Sequence, residues 1–242
     1  MDKQWLDRGA CPKCGSSDGN VNHSEGYSFC FSCNTRFGDK MEVEKVIPMR
    51  TESVMKTVGT LGALSERSIS KETAQKYGVK VVYNYEGKIT EHMYPYYSEN
   101  TLTASKIRTV ATKDFRWTGT QSEVGLFGEN LFKSGGKFLT IVEGECDAMA
   151  IYQMQGSKYA AVSVNNGVQS LNEIKANLEF IESFKQVFIC YDNEPKAKEA
   201  ARNVADLIPG KAKIVILPDG YKDANEMLKA GKSVEFNKAF WA

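Results

Sequence analysis

The stretch KFLTIVEGECDAMAIYQMQ, residues 137–155, decides the fold. Its first half is a short apolar, β-branched run, the composition of a strand covered on both faces. Its second half, ECDAMAIYQMQ, spaces its apolar positions as a helix does. At the junction stands Glu143, and in an open α/β sheet ligands gather outside the carboxyl ends of the strands. The same rhythm continues downstream. YAAVSV, KQVFICYD and AKIVILP read as strands; SLNEIKANLEFIESF and EPKAKEAARNVADLI read as helices. Such alternation predicts right-handed crossovers and a mostly parallel sheet covered by helices, an α/β fold.

Working outward, the residues before 137 have a different texture. SISKETAQKYG is expected to be a helix that Ser70 opens and Gly78 closes. VKVVYNY, ITEHMYPYYS and LTASKIRTV are expected strands, with Glu86-Gly87 and Glu99-Asn100 near the turns. Residues 59–136 therefore form an α+β subdomain ahead of the α/β subdomain at 137–242. Further upstream, GDKMEVEKVIPMRTESVMKTVG shows no clean period, so 38–58 reads as a linker.

The first 37 residues are too few to hold a core without a staple. They carry Cys11, Cys14, Cys30 and Cys33 in the spacing Cys-x2-Cys-x15-Cys-x2-Cys. Two knuckles of that kind turn four thiolates onto one tetrahedral ion, and zinc accepts such a set. Iron of the rubredoxin kind uses similar ligands, but nothing in the sequence suggests an electron-transfer partner. A closed four-sulfur site leaves no position for substrate, so this metal is structural. Between the knuckles, Tyr27, Phe29 and Phe31 offer rings on which unpaired bases can stack, and His23, Ser24 and Glu25 offer polar contacts to base edges. Packing of a small core is the competing use for Phe29 and Phe31. Cys146 and Cys190 lie in apolar contexts and read as plain buried residues.

The chemistry is expected at the strand ends. Glu143, Asp147, Asp192, Glu194 and Asp223 all fall just past a predicted strand or in the first turn after one. In a parallel sheet those carboxylates converge on one edge, where like charges raise one another's pKa or recruit hard cations, Mg²⁺ or Mn²⁺. Upstream, ASKIRTVATKDFRW alternates so that Lys106 and Arg108 share a face of their strand. A basic ledge opposite a metal-loaded acidic edge suits a nucleotide triphosphate or a polyanion backbone.

Composition limits the alternatives. A net charge of +1 hides six bases against three acids in 101–137 and twelve against fourteen from 138 onward. No stretch approaches eighteen apolar residues, which argues against a membrane span. MDKQWLDRGA lacks an apolar secretory core, so the expected location is cytoplasmic. There is no Gly-x-x-x-x-Gly-Lys-Ser/Thr phosphate loop, hence no helicase motor in these residues.

VEGECDA and CYDNE together resemble the Toprim domain of bacterial-type primases, topoisomerases and small nucleases. With the four-cysteine module, and with CPKCGSSDGN, LSERSISKETAQKYG, LFGENLF and LPDGYKDANE, nearly the whole chain resembles the primase half of bifunctional phage primase-helicases of the T7 type. That resemblance implies a zinc ribbon at 1–37, an RNA polymerase domain at 59–242 and a template-dependent enzyme making short RNA primers on single-stranded DNA. It implies Glu143 as metal ligand or general base, and Asp147, Asp192, Glu194 and Asp223 as Mg²⁺ ligands. Lys106 and Arg108 would meet nucleotide phosphates; Lys113 and Arg116 would meet phosphates or template. A nucleotide's 3′-hydroxyl would attack the α-phosphate of the next ribonucleoside triphosphate, releasing pyrophosphate. His23, Glu25 and Tyr27 would face the template, and the zinc module would read the start site. The implied partners are template, ribonucleotides, a replicative helicase and a DNA polymerase that takes over the primer, in the cytoplasm of an infected bacterium. Two positions depart from the pattern: Glu194 stands where the family usually has Asp, and Tyr27 where its phage members often have His. A Toprim nuclease and a non-catalytic helicase accessory are the competing readings.

Overall fold

The computed structural model describes residues 5–24, 26–38, 59–167 and 171–242. Two compact units, Met1–Glu52 and Ser53–Ala242, divide the chain. The expected linker, apart from Gly38, and the candidate Glu25 lie outside the described residues.

In the first unit β1 (Trp5–Gly9), β2 (Asn20–His23), β3 (Ser28–Cys30) and β4 (Thr35–Phe37) form an antiparallel sheet in sequence order. The knuckles occupy the gaps between β1 and β2 and between β3 and β4. The first is closed by the Gly15 N–H donating to the Cys11 carbonyl at 3.0 Å, with Gly15 at φ 72°. Among the described residues Cys11, Val21, His23 and Cys30 are buried, a small interior of the kind that a cross-link supports.

The second unit holds two sheets. β5 (Thr60–Leu61), β6 (Lys80–Tyr83), β7 (Ile89–Ser98), β8 (Thr101–Thr109) and β9 (Phe115–Gly119) form an antiparallel sheet in sequence order. Between β5 and β6 runs α1 (Lys71–Lys76), whose Ser70 cap accepts from the Thr73 N–H. Glu99 and Asn100 both take positive φ, 48° and 65°, the backbone twist that a tight β7–β8 hairpin needs. β9 was not among the expected strands; its burial is shallow at an edge, which weakens the periodic signal.

The other sheet is wholly parallel, in the order β11 (Ala160–Ser163), β10 (Phe138–Val142), β12 (Gln186–Ile189), β13 (Ala212–Ile214). Val142, Ala161, Phe188 and Val215 face α2 (Glu145–Met154), α6 (Ala224–Lys229) and α7 (Ser233–Trp241). Ile141, Val162, Val187 and Ile189 face α3 (Leu171–Ala176), α4 (Leu178–Glu182) and α5 (Pro195–Asp206). The expected single helix over 170–184 is broken at Asn177, whose side-chain amide donates to the Glu173 carbonyl at 2.8 Å and competes with the helical ladder. One aromatic cluster, Tyr77, Tyr94, Tyr96 and Phe127 with Met149, joins the antiparallel sheet to α2. That contact sets the basic strand β8 beside the carboxyl edge of the parallel sheet.

Candidate functional site

The cysteines meet as the spacing requires. Cys11 Sγ lies 3.7 Å from Cys33 Sγ, and Cys14 Sγ lies 3.7 Å from Cys30 Sγ, so each pair crosses the two knuckles. All four sulfurs fall within 4.8 Å of one another. Zinc–thiolate bonds of about 2.3 Å in a tetrahedron put sulfurs roughly 3.8 Å apart, so the set fits a zinc ion.

His23 is buried, its ring stacked on Tyr27 at 4.6 Å, and the Arg36 guanidinium lies 3.7 Å from the centre of the same Tyr27 ring. Stacked this way, the imidazole braces Tyr27. Phe31, 58% exposed and edge-on to Phe29, is the open ring of the ribbon.

At the edge of the parallel sheet, Asp147, Asp192 and Asp223 bring carboxylate oxygens within 4.8 Å of one another. Asp147 sits in the first turn of α2, Asp192 past the end of β12, and Asp223 caps α6. The loops are knitted together by the Asn193 N–H donating to the Lys222 carbonyl at 2.6 Å. Three acids are anchored alike, each giving one oxygen to a backbone N–H. Glu143 Oε1 accepts from Asp192 at 3.0 Å, Asp147 Oδ1 from Asn225 at 2.9 Å, and Asp223 Oδ1 from Glu226 at 2.7 Å. Asp147 and Asp223, together with Asp192, can each offer an oxygen to a common ligand. Gly144 leaves room for this, since a Cβ there would stand 2.7 Å from Asp147 Oδ2.

The electrostatics are those of a cation site. Burial, then the facing Asp223, holds the Asp147 carboxyl far above the usual range. Burial and Asp223 push Asp192 up to about 6, against the pull of Lys222. Burial raises Glu143 to about 7; the Asp192 N–H opposes this, while the charges of Asp192 and Glu194 add to it. Hard oxygen donors so crowded fit Mg²⁺ or Mn²⁺. Glu194 stands apart from the trio: its side chain is 56% exposed and pairs with Lys222 Nζ at 2.9 Å. The same Lys222 Nζ lies 3.6 Å from Asp192 Oδ2, so it links Glu194 to the trio's edge.

The basic residues differ in exposure and in partners. Lys106 Nζ contacts Glu145 Oε1 at 2.8 Å and the Asn165 carbonyl at 2.9 Å, under the rings of Phe115 and Trp117. Arg108, on the same face, is buried opposite His92. Arg116 is committed to Glu91 at 2.7 Å, and Lys113 sits exposed in the β8–β9 turn.

Sequence reasoning passed over Glu145 and Arg67. Glu145 is buried at the start of α2, accepting from Tyr96 Oη at 2.6 Å as well as from Lys106. Arg67, in the turn before α1, donates to Asn225 Oδ1 at 3.3 Å and bears electrostatically on Asp147. Glu145 lies in VEGECDA and Arg67 in LSERSISKETAQKYG, but Arg67 has no periodic signal, because only tertiary contact brings it here.

Residues 140–228, which hold most of the parallel sheet and its acidic carboxyl edge, match the Toprim-like family. A DNA helicase/primase of Enterobacteria phage T3 is 31% identical over 258 aligned positions, covering 99% of this chain and 44% of that protein. The chain thus spans under half the length of that relative. The primase fragment of the bacteriophage T7 primase-helicase superposes with a TM-score of 0.68 at 30% identity, covering 98% of this chain and 100% of the fragment. A bacteriophage T7 lagging-strand DNA polymerase structure, with primase domains bound to an RNA/DNA hybrid and dTTP, matches with TM-score 0.67 and 32% identity over 76% of this chain and 92% of that one. The chain belongs to the family of T7-type phage primase-helicases, in their primase part.

Proposed function

We propose that the chain is a DNA primase, a nucleotidyltransferase that lays short RNA primers on single-stranded DNA. The observation that carries this reading is the trio Asp147, Asp192 and Asp223 beside Glu143, in a chain that aligns end to end with a primase fragment. Asp147, Asp192 and Asp223 would hold Mg²⁺, with Glu194 at the rim. When bound, that ion polarises a phosphoryl oxygen and acidifies an attacking hydroxyl. Glu143, raised to about 7, suits a base that takes the proton of a primer 3′-hydroxyl near neutral pH. Lys106 and Arg108 supply positive charge for the transferred phosphate, and Lys113 and Arg116 guide the template backbone.

In the same reading residues 1–37 are a zinc-bound ribbon that reads the template start site through Tyr27 and Phe31. Residues 38–58 are a linker, and 59–242 are the polymerase domain. The partners follow the relatives: a helicase, covalently joined in the T3 protein, and a DNA polymerase, as in the T7 assembly, in the cytoplasm of an infected cell.

Ribonucleotide incorporation on single-stranded DNA with Mg²⁺, wild type against Glu143→Gln, tests the reading. We expect primers from the wild type alone, with template binding kept by both. Strand scission by the wild type would point to a nuclease, and absence of chemistry would leave a helicase accessory.

A further inference from the structure

A buried chain of polar groups runs from the surface to the first turn of α2, and none of its members has a part in the reading above. It starts at Glu66, in the one-turn helix Ser65–Arg67, whose carboxylate is paired with His92 Nε2. A carboxylate only accepts, so a hydrogen bond across that contact needs the proton on Nε2. His92 is fully buried on β7, and its Nδ1 lies 3.0 Å from Tyr94 Oη. Tyr94 Oη lies 3.3 Å from Cys146 Sγ, and Cys146 stands between Glu145 and Asp147 on α2. Such a chain orders the groups it links more tightly than apolar packing would.

The residue after Glu66 is Arg67. Its carbonyl accepts from Asn225 Nδ2 at 2.9 Å and its Nη1 donates to Asn225 Oδ1 at 3.3 Å, while the Asn225 N–H holds Asp147 Oδ1. A single three-residue helical turn has few hydrogen bonds of its own and needs outside anchors to hold one orientation. Leu64 and Ile69 anchor its two ends by a bridge, and Asn225 anchors Arg67. The Glu66–His92 pair ties the turn to the strand face that carries Lys106 and Arg108, and Gln153 of α2 holds the residue just after it, donating to the Ser68 carbonyl at 3.0 Å.

We propose that Glu66 and His92 are positioning residues: with Tyr94 and Cys146 they pin the Ser65–Arg67 turn so that Arg67 stands against Asp147. The catalytic consequence rests on the primase reading; the positioning does not. Arg67 then supplies fixed positive charge beside the acidic trio, where a nucleotide phosphate has to sit among carboxylates.

The test has two arms on the full chain. In the first, the order of the Arg67 Nε–H, assigned with Arg67→Lys, is measured by ¹⁵N relaxation in wild type, Glu66→Ala and Glu66→Gln. Glu66→Ala should leave Arg67 mobile; Glu66→Gln, which still accepts from His92 Nε2, should keep it ordered. In the second arm, Glu66→Ala should lower kcat for primer synthesis about tenfold with KM nearly unchanged, and Glu66→Gln should restore most of it. In an Arg67→Ala background Glu66→Ala should add no further loss. An equally ordered Arg67 in Glu66→Ala, or losses that multiply in the double variant, would overturn the proposal. If the wild type makes no primers, the functional reading fails while the relaxation arm still decides the positioning. Glu66 lies at the surface, so its replacement opens no core cavity, and the glutamine variant guards against loss of folding.

Discussion

Replacing Asp192 by asparagine should stabilise the magnesium-free protein at neutral pH while ending its chemistry. The Asp192 carboxyl goes from 3.8 to about 6 because burial and Asp223 disfavour its charge. At about 1.4 kcal/mol per unit, that is roughly 3 kcal/mol of unfavourable ionisation. The side chain is 21% exposed and shares its repulsion with Asp223, so about half, ~1.5 kcal/mol, is the expected gain. In a domain of this size that corresponds to a Tm increase of about 3–6 °C. The sign follows from proton counts. A raised folded pKa means that the native state binds more protons than the unfolded chain, so the wild type's contribution is complete below about pH 4 and is lost as pH rises through about 6. Asparagine does not titrate, so the gap between the proteins should be near zero at about pH 4 and full at about pH 7.5. Thermal unfolding across that range, on protein with zinc retained and magnesium dialysed away, measures it. Added Mg²⁺ should then stabilise the wild type more than the variant. A variant less stable than wild type at neutral pH, or a gap independent of pH, would refute the account of the acidic edge.

Other consequences are equally open to measurement. Glu143→Gln should lower primer synthesis by about 10²–10⁴ with template affinity unchanged, read by product formation and by fluorescence anisotropy. Cys14→Ser should release bound metal and unfold the ribbon, because the ion's binding energy is its folding energy; metal content and resolved amide signals report this. Tyr96→Phe removes a 2.6 Å donor from buried Glu145 and should destabilise the protein by about 1–3 kcal/mol in urea unfolding, an effect absent if solvent replaces the hydroxyl. Gly144→Ala should displace the Asp147 carboxylate and weaken Mn²⁺ binding in a titration, with Tm little altered.

Much of the architecture was legible because its signals are local. The parallel strands are short apolar runs, and the Ser70 and Gly78 boundaries of α1 announce themselves by residue type. Asp147, Asp192 and Asp223 were legible as well, since a strand end in a parallel sheet names its own edge. Two placements were not legible. Glu194 is like Asp192 by spacing, yet its side chain is exposed outside the trio, with Lys222 paired to both acids. His23 is a polar residue between aromatics, and its ring is buried and stacked on Tyr27.

From sequence alone came the alternation of strands and helices over 137–217, the cysteine tetrad and the acids that border one sheet edge, because periodicity and short spacings are properties of neighbouring residues. Tertiary structure alone decided that Lys106 is held by Glu145, that Arg108 is buried and that Arg67 reaches the neighbourhood of Asp147. Those relations join β8, α2 and the turn before α1, segments far apart in the chain. No local pattern encodes them, since they exist only once the aromatic core has pressed the two sheets of the second unit against α2.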